Sequence, residues 1–445
     1  MSIYKACDIR GRFGTELRVE HATALGHALA ELFHPPQVVV GGDGRLSTPE
    51  LKGALIQALI ECGIRVLDVG MLPTPAFYYA RARLQVPVGV MVTASHNPAA
   101  DNGFKIALGD LPITEDQLDG IRMLMEAGIR SESHARGQST PVAMVEEYVA
   151  AVEELCPQRG YLKVVIDSGN GMYGPLAPRV FRDLTYDVVE LFSQVDGSFP
   201  NRPANPSVAE NITALCEAVR KSGADLGIAY DGDGDRVVFV DEHGTPVDND
   251  RAIVLFARQA LERHPGTSIV YDQKCSDIVR EEVERGGGKP LLAKSGHTFI
   301  KGAFLETDAA YAGELSGHHF FKEIHGDDGL VASLRMASLL QESGQTLSQL
   351  VGAIPCYAIT PDIRLHVAPG EAAPIITGVR HNLKGATQIS ALDGVRATFP
   401  DGWGLVRASV TEPAVTLRFE GHDEAALQRI KDAFIAAAPQ LRGRI

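Results

Sequence analysis

At 445 residues the chain is too long for one ordinary hydrophobic core, and its length corresponds to roughly three domains. With 45% hydrophobic and 22% charged residues it reads as a soluble globular protein, which excludes a disordered one. A net charge of −14 without a long run of Lys or Arg excludes a nucleic-acid footprint, and no apolar run approaches the ~20 residues that span a bilayer. Six scattered Cys (7, 62, 156, 216, 275, 356) lack paired metal-ligand spacing and read as reduced thiols, and the N-terminal stretch lacks the apolar region of a signal peptide. The expectation is a cytoplasmic protein with neither a nucleic-acid nor a membrane partner.

Apolar β-rich runs alternate with helical patterns, which predicts α/β layering. Val38–Val40 reads as a buried strand ending in Gly41-Gly-Asp-Gly-Arg45. Ser47-Thr-Pro-Glu50 reads as a capping box opening a helix whose apolar face holds Leu51, Ala54, Leu55, Ala58, Leu59 and Cys62, with Gly63 as its stop. Val66–Val69 starts the next strand. Val88–Val92 then feeds the loop Thr93-Ala-Ser-His-Asn-Pro98, where the Ser95 hydroxyl is a candidate nucleophile, and Lys105 follows in Asn102-Gly-Phe-Lys-Ile106. Arg130–Pro141 reads as a polar linker.

The plan recurs. Lys163–Ile166 runs into Asp167-Ser-Gly-Asn-Gly171, and Leu226–Tyr230 runs into Asp231-Gly-Asp-Gly-Asp-Arg236. Three carboxylates this close repel one another, and a divalent cation is the usual compensation. An EF-hand fits poorly, since its sixth position is Arg236 rather than Gly and the segment lies between strands, not helices. Oxygen-only ligands favour Mg²⁺, with Mn²⁺ or Ca²⁺ as alternatives to it, over zinc. Ser268–Tyr271 feeds Asp272-Gln-Lys274, and Ala309–Ala312 feeds Gly313-Glu-Leu-Ser-Gly-His318. Ligands of open α/β sheets gather at the carboxyl ends of strands, so the three polar loops are expected to converge on one cleft. Asp393-Gly394 and Asp401-Gly402 read as hairpin turns in a last α+β unit that closes with a helix from Asp423 to about Ala438. Boundaries near Pro141, His243 and Pro355 divide the chain into 1–141, 142–243, 244–355 and 356–445.

TASHNP with NGFK, DGDGDR, GELSGH and RASVTEP, in this order, resemble the α-D-phosphohexomutase superfamily, within it the bacterial phosphomannomutase/phosphoglucomutase branch. Asp8-Ile-Arg-Gly11, Asp196-Gly-Ser-Phe-Pro200, Asn205-Pro206 and Gly317-His-His-Phe-Phe-Lys-Glu323 support it. The resemblance implies four domains around a central cleft: three related α/β units with mixed sheets and a C-terminal α+β domain hinged to let one site accept two substrate orientations. It implies that Ser95 is carried as phosphoserine, with Ser95, Asp231, Asp233 and Asp235 around Mg²⁺. Arg10, Lys105 and His318 would lie near the reacting hydroxyl, the latter two as general acid/base candidates, and His96 would shape the loop or touch the phosphate. Arg236 would contact the transferring phosphate, Glu314 and Ser316 the sugar hydroxyls, and Lys274 and His297 would approach the substrate. Arg407, Ser409 and Thr411, helped by Arg418, would clamp the other phosphate.

The implied activity is a mutase interconverting hexose 1-phosphate and hexose 6-phosphate, of mannose and/or glucose, through a hexose 1,6-bisphosphate that also serves as activator. Phosphoglucosamine is the rival substrate, although that branch commonly has Gln where Leu315 stands. A metal-dependent phosphatase would share the Asp cluster, and a non-catalytic sugar-phosphate binder would share the clamp. Two departures stand out. Cys7 replaces a common aromatic residue, and Val410 with Glu412 replaces an Asn donor and adds negative charge in the phosphate loop. Oligomeric state is not legible in the sequence.

Overall fold

The computed structural model describes residues 3–5, 8–131, 133–324, 326–368, 370–408 and 414–445. The chain divides into two compact bodies, Met1–Asn249 with Ser316–Val351, and Asp250–Leu315 with Gly352–Ile445. Among the described residues no helix is long and apolar enough to cross a membrane.

The first body opens with a mixed sheet in the order Ile9–Arg12, Asp101–Leu108, Val88–Val92, Gln37–Gly42, Arg65–Met71, Ser139–Pro141. Its centre is parallel, and the two strands at the Ile9 edge run antiparallel to their neighbours. Val38, Val39, Val40, Val90, Met91 and Val92 are all fully buried, as central strands covered on both faces must be. The helix Thr48–Glu61 buries Leu51, Leu55, Ala58 and Leu59, most of its expected apolar face.

The expected capping box at Ser47 does not form. Ser47 is itself in the αR region and makes no side-chain cap; its hydroxyl accepts from Asn102 Nδ2 at 2.9 Å. The next residue, Thr48, is drawn inward and donates to Asp43 Oδ1 at 2.7 Å, so tertiary partners outcompete the local cap. The polar stretch from Arg130 ends as an edge strand, with Ser139 opposite Val66.

A second sheet in the same body runs Val237–Val240, Leu226–Tyr230, Lys163–Asp167, Asp187–Leu191. Its first pair is antiparallel, with Val237 opposite Tyr230, so the acidic loop is a strand–strand connection and not the helix–loop–helix of an EF-hand. The short antiparallel pair His319–Phe321 and Gly326–Asp327 leads into the helix Gly329–Ser343.

The second body contains the parallel strands Lys289–Ala293, Ser268–Asp272 and Tyr311–Gly313. The last begins two residues later than the expected Ala309, because Ala309 N still closes the preceding helix on Phe304 O at 3.1 Å. The C-terminal segments form an antiparallel sheet built on Val395–Phe399, Gly402–Ala408 and Ala414–Gly421. Helices Ala372–Asn382 and Glu424–Ala437 supply Ile375, Val379, Ile430 and Phe434 to a core with Val406, Leu417 and Phe419. This is the expected α+β unit, and Asp423 caps its closing helix by accepting from Ala426 N at 2.7 Å.

The C-terminal segments share one compact body with Asp250–Leu315. A buried polar seam joins the two segments. Arg396 donates to Asp277 Oδ1 at 2.8 Å, and Arg418 donates to Asp250 Oδ2 at 3.0 Å. Glu420 Oε1 accepts from Trp403 Nε1 and from Asp277 N at 2.8 and 3.0 Å.

Glu420 is fully buried, and burial pushes its carboxyl up to about 7. Between its ordinary value near 4.5 and about pH 7, the folded state holds a proton that the unfolded state has lost. Glu420 therefore contributes stability fully below that window, and the contribution disappears as pH rises through it. The Glu420→Gln variant is expected to lose this decline and to exceed the parent above pH 7 by about 2–3 kcal/mol in denaturant unfolding. Parallel stability–pH curves for variant and parent would remove Glu420 as their cause.

Candidate active site

In the first body, Ser95 lies just past the end of Val88–Val92 with φ 50°, in the left-handed region that non-glycine residues rarely adopt. Its N–H donates to Thr93 Oγ1 at 2.9 Å, and its hydroxyl donates to Asp231 Oδ2 at 2.7 Å. Asp235 Oδ1 lies 3.5 Å from the same hydroxyl. Gly232 permits this approach, since a Cβ there would stand 2.6 Å from Ser95 O. Thus the strand–loop unit that carries Ser95 and the hairpin that carries the three aspartates meet at one hydroxyl.

Asp231, Asp233 and Asp235 are each at most 1% exposed, and one oxygen from each falls within 4.8 Å of the others. Their roles divide by partner. Asp231 Oδ1 accepts from Gly234 N and Arg236 N, which closes the loop on itself. Asp233 Oδ2 accepts from Thr74 Oγ1 at 2.6 Å, Lys105 Nζ at 2.9 Å and Thr93 Oγ1 at 3.1 Å. Asp233 Oδ1, in contrast, is buried with no hydrogen-bond partner among the described residues. A buried orphan acceptor is costly, and a cation is the partner that would satisfy it. Burial, reinforced by Asp235 and Asp233, raises the Asp231 carboxyl well above the ordinary range. The residues therefore fit a hard divalent cation with oxygen ligands.

Lys105 Nζ also pairs with Asp235 Oδ2. Burial opposes its charge, but Asp233 and Asp235 outweigh burial and raise its pKa. Arg10 pairs with Asp8 at 2.7 Å and reaches Ala94 O and Asn97 Oδ1 at 3.3 and 3.4 Å, on the rim of the Ser95 loop. His96 Nδ1 stands 3.3 Å from Ser95 Oγ. Burial first, then Arg236 and Arg10, hold its pKa well below the ordinary value, which favours the neutral imidazole.

Arg236 Nε donates to His318 Nε2 at 2.9 Å. An arginine can only donate, so His318 Nε2 carries a lone pair and Nδ1 carries the proton, which it donates to Asp327 Oδ2 at 2.8 Å. The structure thus brings Ser95, Arg10, Lys105, the three aspartates, Arg236 and His318 together. Ser316 belongs to the same body, its hydroxyl buried and without a partner among the described residues.

The remaining expected residues belong to the second body. Glu314 is 6% exposed, and its Oε2 has no partner among the described residues. Lys274 Nζ lies 3.4 Å from Asp362 Oδ2 and 4.0 Å from Asp272 Oδ2. Burial opposes its charge, but Asp272, Asp362 and Glu314 raise its pKa. Arg407 donates through Nε to Asp393 Oδ2 at 2.6 Å. His297 opens the helix His297–Glu306.

The guanidinium of Arg418, expected to help the phosphate clamp, donates to Asp250, Lys274 O and Thr360 O and braces the segment that presents Lys274. Ser409, Val410, Thr411 and Glu412 of the clamp loop, and Cys7, lie outside the described residues. Sequence reasoning missed Thr74, Thr93 and Asp327, which orient the aspartates and the imidazole. Their only local signal is a polar residue at a strand end (Thr93, Asp327) or a helix start (Thr74), which every α/β protein shows.

Family descriptions match nearly the whole chain in order. Domains I, II and III of phosphoglucomutase/phosphomannomutase, each α/β/α, match residues 1–131, 146–244 and 248–357, and its C-terminal domain matches 364–437. A phosphomannomutase/phosphoglucomutase of Pseudomonas aeruginosa is 40% identical over 97% of this chain and 94% of its own length. A phosphoglucomutase of Neisseria gonorrhoeae is 36% identical over 98% of this chain and 96% of its own. The crystal structure of a phosphoglucomutase/phosphomannomutase family protein from Burkholderia thailandensis superimposes with a TM-score of 0.90 at 38% identity, covering 100% of this chain and 98% of that one.

Proposed function

The chain belongs to the phosphoglucomutase/phosphomannomutase family of the α-D-phosphohexomutase superfamily, and we propose that it interconverts the 1- and 6-phosphates of mannose and glucose through a phosphorylated Ser95. The observation that carries this reading is a buried serine hydroxyl 2.7 Å from one carboxylate of a triad whose neighbour, Asp233, holds an unsatisfied oxygen.

In the first half-reaction the bond between phosphorus and Ser95 Oγ breaks as one forms to the free sugar hydroxyl, giving the hexose 1,6-bisphosphate. The second half-reaction returns the other phosphoryl group to Ser95. Asp231, Asp233 and Asp235 with Ser95 would hold Mg²⁺, which supplies positive charge beside the transferring phosphoryl group. Arg236 turns from His318 to the phosphoryl oxygens, where electrostatic positioning dominates phosphoryl transfer. His318 Nε2, released by that turn, takes the hydroxyl proton, while Asp327 holds the imidazole in the required tautomer. Lys105 and Arg10 neutralise charge around the reacting oxygen. The family pattern assigns Glu314 and Ser316 to the sugar hydroxyls and Lys274, His297, Arg407, Ser409 and Thr411 to the rest of the substrate; Glu314 Oε2 and Ser316 Oγ each lack a partner among the described residues.

A coupled assay on mannose, glucose and glucosamine 1-phosphates, with and without glucose 1,6-bisphosphate, tests the reading. Formation of the 6-phosphates of mannose and glucose, enhanced by the bisphosphate, is expected. Release of inorganic phosphate without isomerised sugar would replace the mutase by a phosphatase, and turnover of glucosamine phosphate alone would reassign the sugar.

A further inference from the structure

Arg45 is a fully engaged buried cation of the first body, and nothing in the chemistry above uses it. Its side chain is 0% exposed. A guanidinium has five N–H donors, and here each has an acceptor. Nε donates to Asp43 Oδ2 at 3.1 Å. Nη1 donates to Pro98 O at 2.7 Å and Asp101 O at 2.9 Å. Nη2 donates to Ser95 O and Asn97 O, both at 2.7 Å. Four of the five acceptors are thus backbone carbonyls of one stretch, Ser95 to Asp101, whose first residue is the proposed phosphate carrier. Four carbonyl dipoles aimed at one point repel one another, and a single fixed planar fork holds them there.

A second feature covers this fork. The segment Asp196-Gly-Ser-Phe-Pro200 lies against it, with the Phe199 ring 5.2 Å from the guanidinium carbon. Gly197 is packed so tightly on the same loop that a Cβ would stand 2.3 Å from Gly44 O and 2.6 Å from Arg45 Cα. The fork is sealed from water, where its hydrogen bonds hold geometry most firmly.

We propose that Arg45, covered by Phe199, is a positioning residue for phosphoryl transfer: by gathering the carbonyls of Ser95, Asn97, Pro98 and Asp101 it holds Ser95 at φ 50° and aims its hydroxyl at the metal loop. The left-handed conformation of Ser95 is disfavoured for a residue other than glycine, and the two short bonds from Nη2 hold its own carbonyl and that of Asn97, two residues on. Asp43 balances the charge of Arg45, so the pair shapes the loop without adding net charge to it. The inference rests on the reading of Ser95 as the phosphate carrier.

The test uses Arg45→Lys, which keeps the charge but offers three donors to five acceptors, and Phe199→Leu, which keeps every hydrogen bond of Arg45 but removes the ring. Each full-length variant is incubated with glucose 1,6-bisphosphate, and phosphorylation of Ser95 is followed by intact mass against time. For Arg45→Lys the rate constant of phosphorylation and kcat are expected to fall about 10²-fold, the scale for misplacing a reacting group by about 1 Å, with KM unchanged. Phe199→Leu is expected to show a smaller loss of the same kind. A merely structural role would instead lower the amplitude of phosphorylation, through the fraction folded, and leave its rate constant intact. That result, or parental rates in both variants, would overturn the proposal. Should Arg45→Lys fail to fold, Phe199→Leu decides alone: parental rates overturn the proposal, a slowed rate constant with unchanged KM supports it. If the parent chain itself takes up no phosphoryl group on Ser95, the proposed function fails rather than the role of Arg45.

Discussion

Ser95→Ala is expected to abolish mutase turnover, by at least about 10⁴-fold, the scale on which removal of a nucleophile acts. The fold should survive the change. The substitution deletes one oxygen, whose single short bond is to Asp231 at 2.7 Å, while the backbone of residue 95 keeps its bonds to Thr93 Oγ1 and Arg45 Nη2. Alanine meets the same penalty as serine at φ 50°, so the thermal midpoint should move by a few degrees at most. Two measurements check the expectation: mutase turnover, and the gain of one phosphoryl mass on incubation with glucose 1,6-bisphosphate. Full activity in a well-folded Ser95→Ala protein would remove the phosphoserine scheme. Lost activity with a phosphoryl group still acquired would place the carrier at another residue.

Asp233→Asn is expected to have the second largest effect, and its mechanism is specific. Three donors converge on Asp233 Oδ2, from Thr74, Lys105 and Thr93, so the amide of an asparagine must turn its oxygen toward them. Its NH₂ group then occupies the position of Oδ1, the oxygen without a partner among the described residues. A donor would then face the position proposed for the cation. Mg²⁺ affinity should fall by more than the roughly 10–100-fold that loss of a mere outer-shell contact costs. The reading is direct: Mg²⁺ is expected to raise the thermal midpoint of the parent by mass action, and that rise should disappear in the variant. An equal Mg²⁺-dependent rise in both proteins would exclude Asp233 as a ligand.

Much of this site was legible along the chain because its pieces are local. Asp231, Asp233 and Asp235 stand two residues apart, and a tight turn between two strands brings such neighbours together whatever surrounds them. Ser95 declared itself in the same way, as a hydroxyl just past a buried apolar run. The capping box at Ser47 failed because the signal was local but the outcome was not: Asn102 and Asp43 offered better partners from other elements. The partners of Arg418, Asp250 and two backbone carbonyls, likewise come from distant segments and were not legible along the chain.

The sequence by itself determined the alternation of buried strands with polar loops, the acidic triad, the candidate nucleophile Ser95 and the α+β character of the C-terminal unit, all of which follow from spacings of a few residues. The tertiary structure alone decided which of those groups act together. Thr74 and Lys105 meet Asp233 across 159 and 128 residues, Arg236 reaches His318 across 82, and Arg45 gathers the loop of Ser95 across about 50. It also decided that the C-terminal sheet shares a body with Asp250–Leu315. Such pairings are set by how sheets and helices pack, and packing depends on shape complementarity over the whole core rather than on the order of neighbouring residues.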